Sequence, residues 1–465
     1  MENKFSYFVN NLIKNDALIC EDSHLFGQLI KKFDLDIIRF KETYSALPKI
    51  ILNERQPVRF LASFIAACRE NCPVFLCNPD WGKQEWQQVF DLVEPDIIWG
   101  TENWYNPNPQ STKPHFQSPH IMIATGGSGG KIKFAVHTWD TLTASVRGFQ
   151  EYFQIDKVNS FCLLPLYHVS GLMQFMRCFL TGGKLAILPF KMLESRDKFD
   201  INNVFKNNLD FFISLVPTQL ERLLQKSDLT QWLSQFETVL LGGAPAWDEL
   251  LQKAKFHHIR LAPTYGMTET ASQIATLKPE DFLKGKVGCG KILPHAKVQI
   301  VGEGEFLKTN KIGSIHIQAE SLTLGYYPLN GEIQTCLQID DLAFLDEQGY
   351  LNIVGRNSDK IITGGENVYP AEVEAAIRAT GMVADVCVIG LADRHWGQVV
   401  TAVCVANNSQ ILNENIKVLL QKKLSKYKIP KIWIAVDSLP RNSQGKINRQ
   451  KLYDIAMEYT SLPIT

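Results

Sequence analysis

Short apolar runs alternate with amphipathic segments along the first three quarters of the chain. An apolar run of about four to eight residues is typical of a buried strand, whereas apolar positions three and four residues apart are typical of a helix that covers a sheet. Leu172, Phe175, Met176 and Phe179 fall on one such helical face. The pattern further predicts strands at 73–77, 121–124, 161–164, 211–216 and 238–241, and helices at 58–68, 141–153 and 218–224. This alternation predicts an α/β fold whose sheets are largely parallel and covered by helices.

Beyond about residue 285 the pattern changes to a β-rich subdomain and then to a small α+β domain. Proline at the first helical position and acidic residues in the first turns favour a helix that begins at Pro370, where Glu372 and Glu374 follow. The other predicted elements are strands at 297–301, 314–318, 386–389 and 402–405 and a basic helix at 413–426. The predicted division is an N-terminal domain at 1–356, a polar hinge at 357–360 and a C-terminal domain at 361–465.

Composition fits a globular protein of more than one domain. The chain has 465 residues, of which 45% are hydrophobic and 21% are charged. Its 48 Lys and Arg residues offset 48 Asp and Glu residues, so the formal net charge is zero. A balanced charge gives no general attraction to nucleic acid or to an anionic membrane, and we expect neither as a partner.

The cysteines and the N-terminal segment predict a cytoplasmic protein. The ten cysteines include Cys68, Cys72 and Cys77, but they form neither a CxxC pair nor a Cys/His cluster with zinc spacing. Scattered cysteines in a long chain are typical of reduced core residues. The first residues lack the layout of a secretory signal, and the apolar run at 60–68 is about half as long as a membrane-spanning helix. We therefore expect no transmembrane segment.

A glycine-rich segment at 125–133 is the first candidate for ligand binding. Glycines let backbone amides approach phosphate oxygens, and the hydroxyl and lysine groups of the segment add a donor and a positive charge. It is not a Walker A loop, because Thr125 replaces the first glycine of that motif and Ile132 stands where Ser or Thr binds magnesium. Taken alone, the segment fits a phosphate loop or a flexible glycine turn.

The second candidate is the segment 265–269, which follows a strand-like stretch at 260–262. The Tyr265 ring can stack on a base, Thr268 can bond a phosphate, and the Glu269 carboxylate can hold a hard cation. The alternative is a capped helix start, since threonine is a good N-cap residue.

Six motifs in this order resemble those of the acyl-adenylate-forming superfamily, which includes acyl-CoA ligases, luciferases and the adenylation domains of peptide synthetases. The resemblance extends from about residue 121 to about residue 449. The matching segments are the phosphate loop at 125–133, the adenine-pocket segment at 241–245, the adenylate motif at 265–269, the ribose motif at 340–342, the hinge and glycine-rich loop at 355–370, and the lysine-bearing segment at 440–446. The resemblance implies a large N-terminal domain and a small mobile C-terminal lid.

The resemblance also implies ATP, Mg²⁺ and coenzyme A as ligands and assigns roles to individual residues. Glu269 would bind Mg²⁺ together with nucleotide phosphates, and the catalytic residues would be Lys446, Thr268, Glu269 and His168. Asp341 and Arg356 would hold the ribose, whereas a surface ion pair is the alternative for these two. The ATP- and AMP-binding set is Thr125, Gly127, Ser128, Gly130, Lys133, Gly243, Ala244, Pro245, Tyr265, Gly266, Met267, Asp341 and Arg356.

The phosphate loop and the hinge depart from the family pattern. Gly126, Gly129 and Ile132 stand where Ser, Thr and Pro are usual, so two hydroxyl donors are missing and glycine amides would replace them in part. Ser358 occupies the hinge position at which many relatives carry an acidic residue.

The implied substrate pocket contains His168, Ser170, Gly171 and Gly242, and Gly364 and Gly365 would line the CoA tunnel. Within the superfamily, the short region before the glycine loop and the segments 136–138 and 165–171 resemble those of the o-succinylbenzoate–CoA ligases of menaquinone and phylloquinone biosynthesis. Such a substrate has a second carboxylate that needs a partner. His168 and Ser170 are candidates for it, and Arg177 is either a third candidate or part of the helix surface.

Three other functions stay open. They are an aryl- or fatty-acyl-CoA ligase, an adenylating domain that loads a carrier protein, and a nucleotide-binding relative impaired in catalysis. Gly126 and Gly129 favour the last, whereas the presence of Lys446, Glu269 and Asp341 argues against it. The oligomeric state is open, and a homodimer is one option.

Overall fold

The computed structural model describes residues 9–10, 12–13, 17–100, 104–105, 120–126, 131–195, 210–329, 334–406, 414–441 and 447–461. These residues fall into two compact units. The larger unit lies within Met1–Gly243, His258–Val298 and Ile317–Leu337, and the smaller unit lies within Ala244–His257, Gln299–His316 and Gln338–Thr465.

The described strands of the larger unit form two sheets. They are β1 (Leu18–Ile19), β2 (Ile50–Asn53), β3 (Val74–Leu76), β4 (Ile97–Gly100), β5 (Trp104–Tyr105), β6 (His120–Gly126), β7 (Ile132–Thr138), β8 (Asn159–Cys162), β9 (Leu185–Ile187), β10 (Phe211–Leu215), β11 (Thr238–Leu241), β12 (Leu261–Met267), β13 (Ser272–Thr276) and β14 (Lys291–Ile292). The strand orders are β1-β9-β8-β10-β11-β12-β13-β14 and β5-β4-β2-β3-β6-β7.

Both sheets are parallel through their middle; the first is antiparallel at one end and the second at both ends. In the first sheet every pair from β1 to β12 is parallel, and β12, β13 and β14 pair antiparallel. In the second sheet β2, β3, β4 and β6 pair in parallel, whereas β5 and β7 are antiparallel. The predicted α/β fold with largely parallel sheets is therefore confirmed.

Helices cover these sheets, which explains why strands such as β3 are buried along their whole length. The helices up to residue 283 are α1 (Phe26–Tyr44), α2 (Pro57–Arg69), α3 (Lys83–Leu92), α4 (Trp139–Phe153), α5 (Val169–Thr181), α6 (Phe190–Ser195), α7 (Pro217–Leu224), α8 (Ser227–Leu233), α9 (Asp248–Phe256), which belongs to the smaller unit, and α10 (Pro279–Leu283). Leu172, Phe175, Met176 and Phe179 of α5 are buried in one hydrophobic core with α2, as their spacing predicts.

One local prediction was wrong. The pattern predicts a strand at 121–124 and a helix at 141–153 with no strand between them, but β7 lies between β6 and α4. It pairs antiparallel with β6 from His120 and Thr138 to Gly126 and Ile132. The residues of β7 from Phe134 onward are buried on both faces, so no alternation of polar and apolar positions marks the strand.

The smaller unit is an α+β assembly. Strands β15 to β19 lie mostly within this unit and form a sheet in the order β16-β15-β17-β18-β19. The strands are β15 (Ala296–Gly302), β16 (Glu305–Phe306), β17 (Gly313–Ala319), β18 (Leu337–Leu345), β19 (Leu351–Arg356), β20 (Ile361–Thr363), β21 (Glu366–Val368), β22 (Val383–Asp393), β23 (Gly397–Ala406) and β24 (Ile432–Ala435), and the remaining helices are α11 (Pro370–Arg378), α12 (Glu414–Gln421) and α13 (Arg449–Ser461). A second sheet has the order β21-β20-β23-β22, with β24 beside β23.

The β-rich segment and the C-terminal α+β region were predicted correctly, although α12 ends five residues before the predicted end at 426. The predicted domain boundary, the hinge at 357–360 and the mobility of the lid stay predictions.

The ten cysteines are free thiols. Burial raises the pKa of the Cys68 and Cys77 thiols, which keeps both protonated. In the part of the chain that the structure describes, no helix is long and apolar enough to cross a membrane.

Candidate active site

Strands β6 and β7 carry the two ends of the glycine-rich segment, at 125–126 and 132–133. Thr125 and Lys133 are directly opposite each other on the two strands, and the next pair is Gly126 and Ile132. Lys133 is exposed, and the Ile132 amide donates to Gln88 Oε1 at 2.9 Å. The paired strands therefore place a hydroxyl and an ammonium side by side, at the ends of the glycine-rich segment. The predicted phosphate-binding residues Gly127, Ser128 and Gly130 lie outside the described residues.

The adenylate motif lies at a sharp reversal between β12 and β13. The pairing of these strands is irregular between Tyr265 and Gly266. A Cβ atom on Gly266 would lie 2.1 Å from the Ser272 carbonyl oxygen, so only glycine fits there. Thr268 and Glu269 form a single turn of 3₁₀ helix with Thr270, and the chain then reverses through left-handed backbone at Ala271 (φ 50°). The turn presents Thr268 and Glu269 beyond the end of the strand.

His137 fixes the position of this turn. Its Nε2 donates to the Thr268 carbonyl at 2.8 Å, and its Nδ1 lies 3.1 Å from Thr141 Oγ1 in the first turn of α4. Burial lowers the pKa of His137 to about 4, so the ring is neutral. Sequence reasoning used His137 only as part of a family resemblance and missed this contact. The available signal was a histidine directly before the N-cap residue Thr138.

Glu269 is a buried carboxylate whose known partners are neutral. It is 9% exposed, its Oε1 accepts the Tyr326 hydroxyl at 2.7 Å, and its backbone carbonyl accepts the Thr323 amide at 2.8 Å. Burial and the charge of Glu269 raise the pKa of the Tyr326 phenol, which therefore stays a donor. Glu269 forms no ion pair with any Lys or Arg that the structure describes.

These features fit a divalent cation that takes one protein oxygen. A buried carboxylate without a cationic partner is costly unless a positive charge binds beside it. No cluster of three or more His, Cys, Asp and Glu side chains that suits a metal occurs among the described residues. Magnesium commonly takes one or two carboxylates and completes its shell with water and substrate phosphates. Glu269 suits that mode of binding.

The two aspartates of the predicted ribose motif have different contacts in the smaller unit. Asp341 is opposite Arg356 in the β18–β19 ladder, and Arg356 Nε donates to Asp341 Oδ1 at 3.2 Å. Asp340 instead accepts the Ser358 amide with Oδ2 at 3.0 Å, and its carbonyl accepts the Asn357 amide at 2.8 Å. Asp340 thus fixes the start of the predicted hinge, whereas Asp341 pairs with Arg356.

The adenine-pocket segment leaves the sheet at the end of β11. A Cβ atom on Gly242 would lie 2.6 Å from Thr264 Oγ1, and Gly243 has a positive φ of 79°. The left-handed backbone favours glycine at 243, whereas a side chain at 242 would displace the Thr264 hydroxyl. Gly243, Ala244 and Pro245 are exposed.

The predicted acyl-pocket residues lie at the start of α5. His168 is the N-cap residue, half-buried, and its carbonyl accepts the Leu172 amide at 2.9 Å. Gly171 packs so tightly that a Cβ atom would lie 2.2 Å from the Pro165 carbonyl oxygen. Ser170 is half-buried in the same turn. The helix start is therefore held against the loop that precedes it.

Arg177 is not on the helix surface. It is 2% exposed, its guanidinium lies 4.2 Å from the centre of the Phe149 ring, and Nη2 is 3.3 Å from Ser272 Oγ and 3.2 Å from Gln273 Oε1. Burial lowers the pKa of Arg177 to about 10, so it stays charged at neutral pH. Within the described residues no carboxylate contacts it, and its Nε has no hydrogen-bond partner. Arg177 is therefore a buried positive charge whose partners among the described residues are all neutral.

His295 lies near this charge. Its ring packs against Gly148 of α4, where a Cβ atom would lie 1.8 Å from Nδ1. Neither ring nitrogen has a partner among the described residues. Burial lowers the pKa of His295 to about 4, and the charge of Arg177 acts in the same direction. His295 is neutral and does not offset the positive charge of Arg177.

Two glycines form the turn that was assigned to the CoA tunnel. Gly364 and Gly365 connect β20 and β21 and both have positive φ, which is the requirement of a two-residue hairpin turn. Gly364 also packs on Trp396, since a Cβ atom would lie 2.9 Å from that ring. Lys446, the predicted catalytic lysine, lies outside the described residues.

Comparison with known proteins identifies the family. The profile of the AMP-binding enzymes matches residues 82–327, and the profile of the AMP-binding enzyme C-terminal domain matches residues 372–446. The chain belongs to the AMP-binding enzyme family, which confirms the family that the order of the motifs indicates.

Individual relatives are similar over most of the chain. A 2-succinylbenzoate–CoA ligase of Listeria monocytogenes serovar 1/2a is 36% identical over 71% of this chain and 69% of the relative. The ligase of that name from Oceanobacillus iheyensis is 34% identical over 73% and 70%. The structure of the o-succinylbenzoate CoA synthetase of Bacillus subtilis with its acyl-adenylate intermediate superimposes with a TM-score of 0.80 over 94% of both chains at 24% identity, which confirms the fold.

Proposed function

We propose that this protein is an AMP-forming acid–CoA ligase that converts 2-succinylbenzoate, ATP and CoA into 2-succinylbenzoyl-CoA, AMP and diphosphate. The names of relatives at 33–36% identity support this substrate. Within the chain itself, the buried charge of Arg177 carries the proposal, because it fits an acid that keeps a second carboxylate after the first has reacted.

The first half-reaction joins the aliphatic carboxylate to the α-phosphorus of ATP and breaks the bond from that phosphorus to diphosphate. Both reactants are anions, so cations and orientation supply most of the catalysis. Lys133 and Thr125 on the paired strands would bind phosphates, and Lys446 would lie between the carboxylate and the α-phosphate. Magnesium, held by Glu269, would neutralise phosphate charge. His137 keeps Thr268 in place through its backbone.

The second half-reaction joins the CoA sulfur, which loses its proton, to the activated carbonyl carbon and releases AMP. We propose that Asp341 and Arg356 hold the ribose during both steps, and that Gly364 and Gly365 line the passage for CoA. The two residues of this turn have no Cβ atoms, so backbone alone lines the passage there. His168, Ser170, Gly171 and Gly242 would line the acyl pocket.

The ring carboxylate of the substrate would pair with Arg177. A buried guanidinium without an acid partner is destabilising, and a bound carboxylate removes that cost. The position is suitable because Arg177 contacts Ser272 and Gln273, which follow Thr268 and Glu269 after one turn of chain. Arginine also presents its donors as a planar fork that matches a carboxylate.

The substrate test compares acids that differ by one group. We expect 4-oxo-4-phenylbutanoate, which lacks only the ring carboxylate, to have a kcat/KM about 10²-fold lower than 2-succinylbenzoate, because Arg177 would remain unpaired. Benzoate and a medium-chain fatty acid should be poorer still. The measurements are diphosphate release and detection of the CoA thioester. If any of these acids were turned over as fast as 2-succinylbenzoate, the substrate assignment would be wrong. The proposal of an adenylate-forming activity would remain, with another acid as its substrate.

The hinge can be tested at Ser358, whose amide donates to Asp340. Proline at this position removes the donor and fixes φ, so Ser358→Pro is expected to lower the rate of thioester formation about tenfold. Ser358→Gly keeps the amide and should stay within about threefold of the unchanged protein. Separate assays of adenylate and thioester formation check this. If Ser358→Pro kept both rates, the hinge would have to lie elsewhere.

We place this activity in the cytoplasm, where ATP and CoA are available. The ten free thiols support a reducing compartment.

A further inference from the structure

Tyr326 connects two of the proposed nucleotide-binding groups. Its hydroxyl donates to Glu269 Oε1 at 2.7 Å, and the Lys133 ammonium lies 5.0 Å from the centre of its ring. Tyr326 lies outside the six family motifs. Its side chain contacts both the Glu269 carboxylate, which is assigned to magnesium, and the Lys133 ammonium, which is assigned to phosphate.

The backbone around Tyr326 is fixed on both sides. Residue 326 forms a β-bridge with Ala135 of β7, and the Val136 amide donates to the Gly325 carbonyl at 2.9 Å. Three residues earlier, the Thr323 amide donates to the Glu269 carbonyl at 2.8 Å. The segment 323–326 therefore binds both the backbone and the side chain of Glu269. The same segment also binds β7, the strand that carries Lys133.

We propose that Tyr326 is a positioning residue for the metal-bound nucleotide. Its hydroxyl donates to Glu269 Oε1, so Glu269 would offer the cation its other oxygen, Oε2. Its ring supports the Lys133 ammonium by a cation–π contact and keeps that charge near the phosphates. This inference depends on the assignment of Glu269 to magnesium, but it is independent of which acid is the substrate.

The chemistry of magnesium explains why such a residue is useful. Mg²⁺ requires near-ideal octahedral geometry, and a carboxylate free to rotate or to bind through both oxygens fits that geometry poorly. Partners that orient a metal ligand commonly change metal affinity about 10–100-fold when they are removed. A phenol is suitable beside a carboxylate because it donates one hydrogen bond and brings no competing charge.

The test uses equilibrium binding of ATP, with and without Mg²⁺, in the absence of acid and CoA. Tyr326→Phe removes the hydroxyl and keeps the ring, so ATP binding in Mg²⁺ should weaken about tenfold while binding in EDTA is unchanged. Tyr326→Leu also removes the ring beneath Lys133, so binding in EDTA should weaken about two- to fivefold as well. Titration with Mn²⁺ in place of Mg²⁺ reports the metal directly through its paramagnetism.

Tyr327→Phe is the matched control. Tyr327 is the next residue, its ring packs edge-on against Phe75 with centroids 4.9 Å apart, and its hydroxyl forms no hydrogen bond with the described residues. This variant should bind ATP like the unchanged protein in both conditions. Thermal unfolding of all three variants shows whether they fold.

Two results would overturn the proposal. One is a Tyr326→Phe variant whose ATP affinity is unchanged in Mg²⁺, and the other is a loss of the same size in Mg²⁺ and in EDTA, which would indicate a packing role only. If the unchanged protein bound ATP independently of Mg²⁺, the assignment of Glu269 and this proposal would both fail. Failure of 2-succinylbenzoate as a substrate would leave this result untouched, because no acid is present in the assay.

Discussion

Lys446→Ala is expected to lower the rate of adenylate formation about 10³-fold. The lysine's charge is needed where two anions meet, at the attacking carboxylate and the α-phosphate, and a preorganised positive group at such a position commonly supplies about 10²–10³ of the rate. Thioester formation from supplied acyl-adenylate should stay within about threefold, because that step has no carboxylate attack to assist. Single-turnover assays of the two half-reactions measure the difference.

The control for Lys446→Ala is Lys451→Ala. Lys451 is an exposed lysine on α13, five residues further along the chain, and its removal changes net charge by the same amount. It should leave both half-reactions unchanged. Equal losses in both half-reactions with Lys446→Ala would contradict the assignment and indicate a folding defect or a role common to both steps.

The fold was predictable where local pattern and tertiary environment agree. The strand at 238–241 has the predicted bounds, and the helix predicted at 58–68 differs by one residue at each end, because both are apolar segments with clear turn signals beside them. Strand β7 was missed because burial on both faces removes the alternation that marks a strand. The motif at 265–269 was recognisable from local sequence. The backbone there needs a residue without a side chain at 266 and reverses at Ala271.

The contacts that complete the candidate site come from distant parts of the chain. Tyr326 is 57 residues from Glu269, and His137 is 131 residues from Thr268. Nothing in the local sequence links such pairs, because sheet topology alone brings them together. Arg177 shows the same limit. Its spacing on α5 fits either a surface or a buried position, and burial is decided by the packing of α4 and β13 around it.

Arg177→Met is expected to lower kcat/KM for 2-succinylbenzoate about 10²–10³-fold. Methionine fills a similar volume without charge, so the ring carboxylate of the acid would be buried without a partner. For 4-oxo-4-phenylbutanoate, which has no ring carboxylate, the same change should alter kcat/KM less than about threefold or raise it. Arg177→Lys keeps the charge but loses the planar fork, so its kcat/KM for 2-succinylbenzoate should lie between those of the unchanged protein and Arg177→Met. ATP affinity should not change.

The thermal stability of Arg177→Met separates a binding role from a structural one. Arg177 has no acid partner among the described residues, so its removal takes an uncompensated charge out of the core, and Tm should stay the same or rise. Arg147→Met is the control, because Arg147 lies on the neighbouring helix α4 and forms an exposed ion pair with Glu320 at 2.9 Å. Arg147→Met should leave kcat/KM unchanged for both acids. A structural arginine would instead give a lower Tm and equal losses with both acids, and that outcome would remove Arg177 from the substrate site. Greater loss with 2-succinylbenzoate at unchanged stability is the result that binding of the second carboxylate requires.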